Sequence, residues 1–214
     1  MTYYEKYLKY KNKYLKIKFG GNSKINCDGN SKKLTINPNN IISIINLNSD
    51  IDVEELYIDL PEINKYKQIF KLIKNNCNKL YYLTFSSKFN EQIESNILKS
   101  LSFKHLSFIS NFNQKIEKDV LPESLTYLSF SKNFNQKIEP GVLPESLTYL
   151  SFGDNFNQKI EPKVLPQSLK YLIFGKNFNQ KIEQNVLPQS LLSLTFNPNY
   201  NKPIPQILHK LTIK

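Results

Sequence analysis

The sequence predicts a mainly β solenoid, a stack of about 22-residue rungs sharing one parallel sheet, with an amphipathic helix in front of it. Three observations lead there. The line NFNQKIEPGVLPESLTYLSF begins at Asn133, and close copies of it begin at Asn111, Asn155 and Asn177. A tripeptide Leu-x-Phe or Leu-x-Ile recurs with its leucine at Leu34, Leu56, Leu83, Leu106, Leu128, Leu150, Leu172, Leu194 and Leu211, evenly in the middle and unevenly at both ends. Each tripeptide lies in a segment such as SLTYLSF, where Leu128 and Phe130 alternate with Tyr127 and Ser129, and a period of two means a strand.

The first element is TYYEKYLKYKNKYLKIKFGG, which reads as a helix with a signal at each end. Thr2 and Glu5 have capping-box spacing, and Gly20 with Gly21 supplies the stop. At about 100° per residue, Tyr3, Tyr7, Tyr10 and Tyr14 form a stripe beside Tyr4, Leu8 and Leu15, with Lys6, Lys9, Lys13 and Lys16 opposite. Residues 1–33, helix and linker, hold nine lysines against Glu5 and Asp28, a net +7 of the chain's +11. Two roles are open for this basic segment. It covers the open end of the core before Leu34, or it docks on an anionic surface of lipid headgroups or nucleic-acid phosphates through Lys6, Lys9, Lys13 and Lys16. Any nucleic-acid or membrane contact is expected through this segment only, because the rest of the chain carries just +4 and no arginine is present for bidentate phosphate contacts.

Residues 34–213 then form about nine rungs, most regular over 99–198. The period falls in the leucine-rich-repeat window, and irregular lengths at both ends suit rungs that must present a different outer face. Strands about 4.8 Å apart would make a stack on the order of 40 Å long. The rest of each rung returns the chain: Phe134 and Ile138 point inward, and Pro144 with Ser146 sets the approach to the next strand. The bend after each strand leaves backbone N–H and C=O groups without ladder partners, at roughly 1–3 kcal/mol each if unmet. Two stacked asparagine rows, Asn111, Asn133, Asn155, Asn177 and Asn113, Asn135, Asn157, Asn179, are expected to meet them as a structural ladder.

With FNQKI and LPESLTYLSF in hand, the chain resembles the FNIP repeat, a relative of the leucine-rich repeat abundant in social amoebae and in Mimivirus-like giant viruses of amoebae. The resemblance is strong over residues 108–198 and extends over 80–213. The family's usual proline after Phe-Asn-x stands only in YNKPI, as Pro203, and the other rungs have lysine there. Viral members often open on a Tyr/Lys-rich segment of this kind. Some members carry an F-box before the repeats, but residues 1–55 lack its Leu-Pro opening, so that role is not carried over.

Function is sought on faces that packing leaves over. The outward side of the sheet is expected to carry a row of Tyr82, His105, Tyr127, Tyr149, Tyr171 and Ser193 beside a row of Thr84, Ser107, Ser129, Ser151, Ile173 and Thr195. Rigid tyrosines with hydrogen-bonding tips suit a protein or peptide partner; equally, stacked tyrosines stabilise neighbouring strands. On the far side, Lys115, Lys137, Lys159 and Lys181 run in step with Glu117, Glu139, Glu161 and Glu183 as a solvated face. No catalytic residue, cofactor site or metal site is expected. His105 and His209 have no acid or nucleophile at motif spacing, and Cys27 and Cys77 are far apart in the chain without a CxxC. The chain also has no glycine-rich phosphate loop. The reading is a non-enzymatic interaction scaffold, with a structural or virion-associated protein tethered by its basic helix as the alternative. No apolar run approaches the roughly 18 residues of a membrane span, and an intracellular place, host cytoplasm or virion, is expected.

Overall fold

Each tripeptide overlaps a strand. In the computed structural model the strands are β1 Lys33–Ile36, β2 Glu55–Ile58, β3 Tyr82–Phe85, β4 His105–Phe108, β5 Tyr127–Ser129, β6 Tyr149–Ser151, β7 Tyr171–Ile173, β8 Ser193–Thr195 and β9 Thr212–Ile213. The structure describes residues 33–36, 53–60, 69–71, 73, 80–95, 97–205 and 212–213. The helix expected over residues 1–20 with Lys6, Lys9, Lys13 and Lys16, both cysteines and His209 lie outside the described residues.

Among the described residues nine strands form one sheet in chain order, and every neighbouring pair is parallel. The register joins leucine to leucine from Leu34↔Leu56 through Leu172↔Leu194. The last pair departs from the sequence alignment: Leu194 lies opposite Ile213, where the tripeptide pattern places Leu211, so the final rung is two positions longer than the pattern implies. A shift by two leaves each side chain on its own face, so the alternating pattern cannot distinguish the two registers.

From β3 to β8 a leucine on the strand and a phenylalanine at or just after its end point into a continuous core, and in β1 and β2 a leucine and an isoleucine do so. Leu106, Leu128, Leu150 and Leu172 are fully buried. Behind them run two aromatic columns. One passes through Phe85, Phe108, Phe130, Phe152, Phe174 and Phe196, with centroids 5.3–6.1 Å apart. The other passes through Phe89, Phe112, Phe134, Phe156, Phe178 and Tyr200 at 5.6–6.1 Å. Within a rung the two rings stack at 3.7–4.4 Å. The long interval between Leu56 and Leu83 includes helical backbone at 69–71 and 73, which buries Ile69, Phe70 and Ile73. The i, i+1, i+4 spacing of those apolar residues in QIFKLI was the available signal for it.

The asparagine rows, alike in sequence, have different duties. The second row bonds to backbone: the side-chain oxygens of Asn113, Asn135 and Asn157 accept the main-chain N–H of Asn135, Asn157 and Asn179 at 2.8, 2.9 and 3.0 Å. The same oxygens accept the side-chain amides of Gln136, Gln158 and Gln180 at 3.1 Å, so glutamine belongs to the ladder too. Asn90 begins this row by accepting from Asn113 N–H at 2.8 Å. The first row bonds amide to amide along an exposed edge, Asn133 to Asn111, Asn155 to Asn133 and Asn177 to Asn155, at 3.1–3.2 Å. At its start Asn111 meets backbone, donating its side-chain amide to the Ser87 carbonyl at 2.7 Å. In the later rungs the N–H groups of Asn133, Asn155 and Asn177 already reach the carbonyls of Ser110, Lys132 and Asp154, and the row there bonds only to itself. Replacing Asn135 and Asn157 together by leucine strands two half-buried N–H groups, and a loss of about 2 kcal/mol in chemical denaturation is expected. An unchanged melting temperature would show the row to be dispensable.

The turn that closes each return segment also repeats. Val142 N–H reaches Glu139 carbonyl and Val164 N–H reaches Glu161 carbonyl, both at 3.3 Å. The third turn residue has positive φ in three successive rungs: Asp119 at 66°, Gly141 at 79° and Lys163 at 67°. Only Gly141 takes that conformation without strain. Lys163→Gly should therefore raise stability by roughly 0.5–1 kcal/mol, read as a shift in urea midpoint.

Candidate partner-binding face

The register that builds the core also sets what faces outward. Because Tyr82 pairs with His105, His105 with Tyr127, Tyr127 with Tyr149 and Tyr149 with Tyr171, the predicted aromatic residues form one row across β3–β7, and Ser193 ends it on β8. Thr84, Ser107, Ser129, Ser151, Ile173 and Thr195 form the adjacent row by the same pairings. All the predicted face residues are thus brought together.

The rings lie against one another. His105 stands 4.5 Å from Tyr82 and 4.9 Å from Tyr127 between centroids, Tyr127 is 4.3 Å from Tyr149, and Tyr149 is 6.3 Å from Tyr171. Most of the row is therefore half-buried, while Tyr171 at its end is 43% exposed. Burial pushes the Tyr149 phenol above its ordinary range, with a hydrogen bond to Tyr127 acting the other way. Tyr81, absent from the expected row, adds a ring 4.8 Å from Tyr82 and 5.1 Å from His105. Its signal was the doubled tyrosine of LYYL. One position before the aromatic row, Thr126 and Thr148 turn their hydroxyls to the carbonyls of Lys104 and Thr126 in the rung below, at 3.2 and 3.1 Å.

His105 is the aberrant member of the row. Burial among these rings lowers its imidazole from the ordinary 6.5 to about 4. The folded chain thus resists a proton that the unfolded chain accepts. The stability that goes with a neutral ring is complete above pH 6.5 and is lost as pH falls from 6.5 to about 4. His105→Tyr copies the rungs above and below and should flatten that dependence. Melting temperatures of both proteins taken across this window will show it: the wild type should lose more on acidification than the variant.

The opposite surface is a solvated one. Lys115 pairs with Glu117, Lys137 with Glu139, Lys159 with Glu161 and Lys181 with Glu183, at 3.1–3.4 Å within each rung. Exposed pairs of this kind contribute about 0–1 kcal/mol each, so this side serves solubility more than cohesion. Among the described residues no group of three His, Cys, Asp or Glu could hold a metal ion, and no helix is long and apolar enough to cross a membrane.

One parallel sheet with a leucine and phenylalanine core behind it, repeated rung after rung in constant register, defines a leucine-rich-repeat-like solenoid protein. The FNIP Repeat family profile matches residues 99–133, 134–177 and 178–208, just over half of the chain. The chain belongs to the FNIP repeat family. It is similar over 55% of its length, at 53% identity and a TM-score of 0.53, to a solved structure described as the crystal structure of CroV588, a novel circular LRR protein structure. That similarity spans 17% of the CroV588 chain. No curated protein matches the chain.

Proposed function

We propose that this chain is a non-enzymatic scaffold that binds a protein or peptide on the outward face of its sheet. The observation that carries the reading is the unbroken row of Tyr82, His105, Tyr127, Tyr149 and Tyr171 beside the hydroxyls of Ser107, Ser129 and Ser151. The core uses one face of the sheet and leaves this one over. Membership of a repeat family and the leucine-rich-repeat-like fold support a role in protein interaction. The tyrosines would act as rigid anchors and the serines as hydrogen-bonding neighbours. Host interaction by a protein of a giant virus of amoebae, in host cytoplasm or virion, is the setting that fits this reading.

The test is affinity purification from amoebal cells with wild-type bait and with a bait carrying Tyr127→Ala, Tyr149→Ala and Tyr171→Ala. Partners held by the wild type should be lost from the triple variant while its circular dichroism is unchanged; undiminished capture overturns the proposal.

A second reading rests on the concentration of +7 within residues 1–33. Here the basic segment tethers a structural or virion-associated protein to nucleic acid or membrane, and the solenoid is a spacer. Exchanging Lys6, Lys9, Lys13 and Lys16 for glutamine would then abolish binding to DNA or anionic vesicles, and the tyrosine variant would be silent. Binding that does not weaken as salt rises would count against the tether.

A further inference from the structure

We infer that the end of this face around Tyr171, Ile173 and Leu192 takes an acidic peptide carrying an apolar anchor. The inference rests on the scaffold reading above and assigns the chemistry of its partner.

The rungs are near copies, so their departures from one another stand out. Ser107, Ser129 and Ser151 are followed in the same row by Ile173 on β7. Thr126 and Thr148 are followed, after Lys170, by Leu192, which is 44% exposed. Stacking gives no reason for that leucine. Leu192 N–H reaches the Lys170 carbonyl at 2.8 Å, as Thr148 N–H reaches the Thr126 carbonyl at 2.9 Å, so the backbone keeps its path while the threonine hydroxyl bond is given up. Tyr171 and Leu192 are two of the three exposed large apolar side chains among the described residues. Apolar area is thus added to the outward face around β7 and β8, in a row where Thr84, Ser107, Ser129, Ser151 and Thr195 keep hydroxyls and at a leading position where Thr126 and Thr148 do.

Charge specifies the rest of the ligand. From β3 to β8, neither the outward rows nor the position before them includes an aspartate or glutamate, whereas that leading position holds Lys104 and Lys170, both exposed. Neither lysine has an ion pair among the described residues, while Lys115, Lys137, Lys159 and Lys181 on the other side each have a glutamate. Lys170 sits beside the apolar end, since its carbonyl accepts the N–H groups of both Leu192 and Ser193. A ligand with an aliphatic or aromatic side chain over Tyr171, Ile173 and Leu192 and carboxylates toward Lys170 complements this surface, and a basic one is repelled.

The experiment is selection of a random phage-displayed peptide library on the immobilised full chain, followed by affinity measurement of the recovered peptides. Two variants keep the fold in view: Ile173→Ser with Leu192→Thr, which restores the residues found at 151 and 148 in an earlier rung, and Lys170→Glu. Recovered peptides should be net acidic with an apolar residue. Each variant should weaken them by roughly tenfold, and the binding should fall with added salt. Neutral or basic peptides, or acidic peptides held equally by both variants, overturn the inference. If such peptides are nevertheless lost on the tyrosine triple variant, the scaffold reading stands without it. If neither the library nor cell extract yields a ligand sensitive to the tyrosines, the scaffold reading fails and the inference with it.

Discussion

Phe156→Ala should lower stability by about 3–5 kcal/mol. The ring is fully buried and touches both aromatic columns: it stacks on Phe152 at 3.8 Å, on Phe134 and Phe178 at 6.1 Å each, and lies 6.4 Å from Phe174. Its removal leaves a gap that the rungs above and below cannot close, because their separation is set by the strand ladder and the asparagine row. Tyr200 closes the same column at its other end among the described residues, is half-buried, and stacks on Phe178 at 6.0 Å and Phe196 at 4.0 Å. Tyr200→Ala should therefore cost less, about 1–2 kcal/mol. Urea denaturation of the two variants gives the comparison, and equal losses would show that position in the stack does not matter.

Gly153→Ala should cost about 3 kcal/mol, close to a core deletion although it adds only a methyl group. A β-carbon on Gly153 would overlap the Ser131 carbonyl and come within 2.7 Å of the Lys132 α-carbon. Gly175 repeats the arrangement one rung later, where a β-carbon would overlap the Gly153 carbonyl and stand 2.6 Å from the Asp154 α-carbon. The obstacles are backbone, which cannot rotate aside as a side chain would. Ser131 occupies the equivalent place one rung earlier because the chain beneath it takes another turn, with φ of 58° at Ser110 and Asn111 N–H bonded to the Ile109 carbonyl at 2.8 Å. Gly141 is the control. A β-carbon there meets nothing within 4 Å, and its φ of 79° is the obstacle, so Gly141→Ala should cost only about 1 kcal/mol. Comparable losses at positions 141 and 153 would mean that backbone conformation, and not rung contact, makes glycine necessary.

Much of this molecule was legible in its order of residues. The seven leucine-to-leucine pairings from Leu34 to Leu194, the inward Leu and Phe and the outward Tyr and Ser all follow from a repeated line and a period of two, both local properties of the chain. What folding in three dimensions decided concerns neighbours a full rung away along the chain: which asparagines meet backbone, why Gly153 cannot carry a side chain, how closely His105 is enclosed, where β9 joins, and that Leu192 stands in the open. Those outcomes depend on the path of the return segments and on the atoms of the rung below. A residue's own alternation cannot report them, because it records only which way a side chain points and not what waits there.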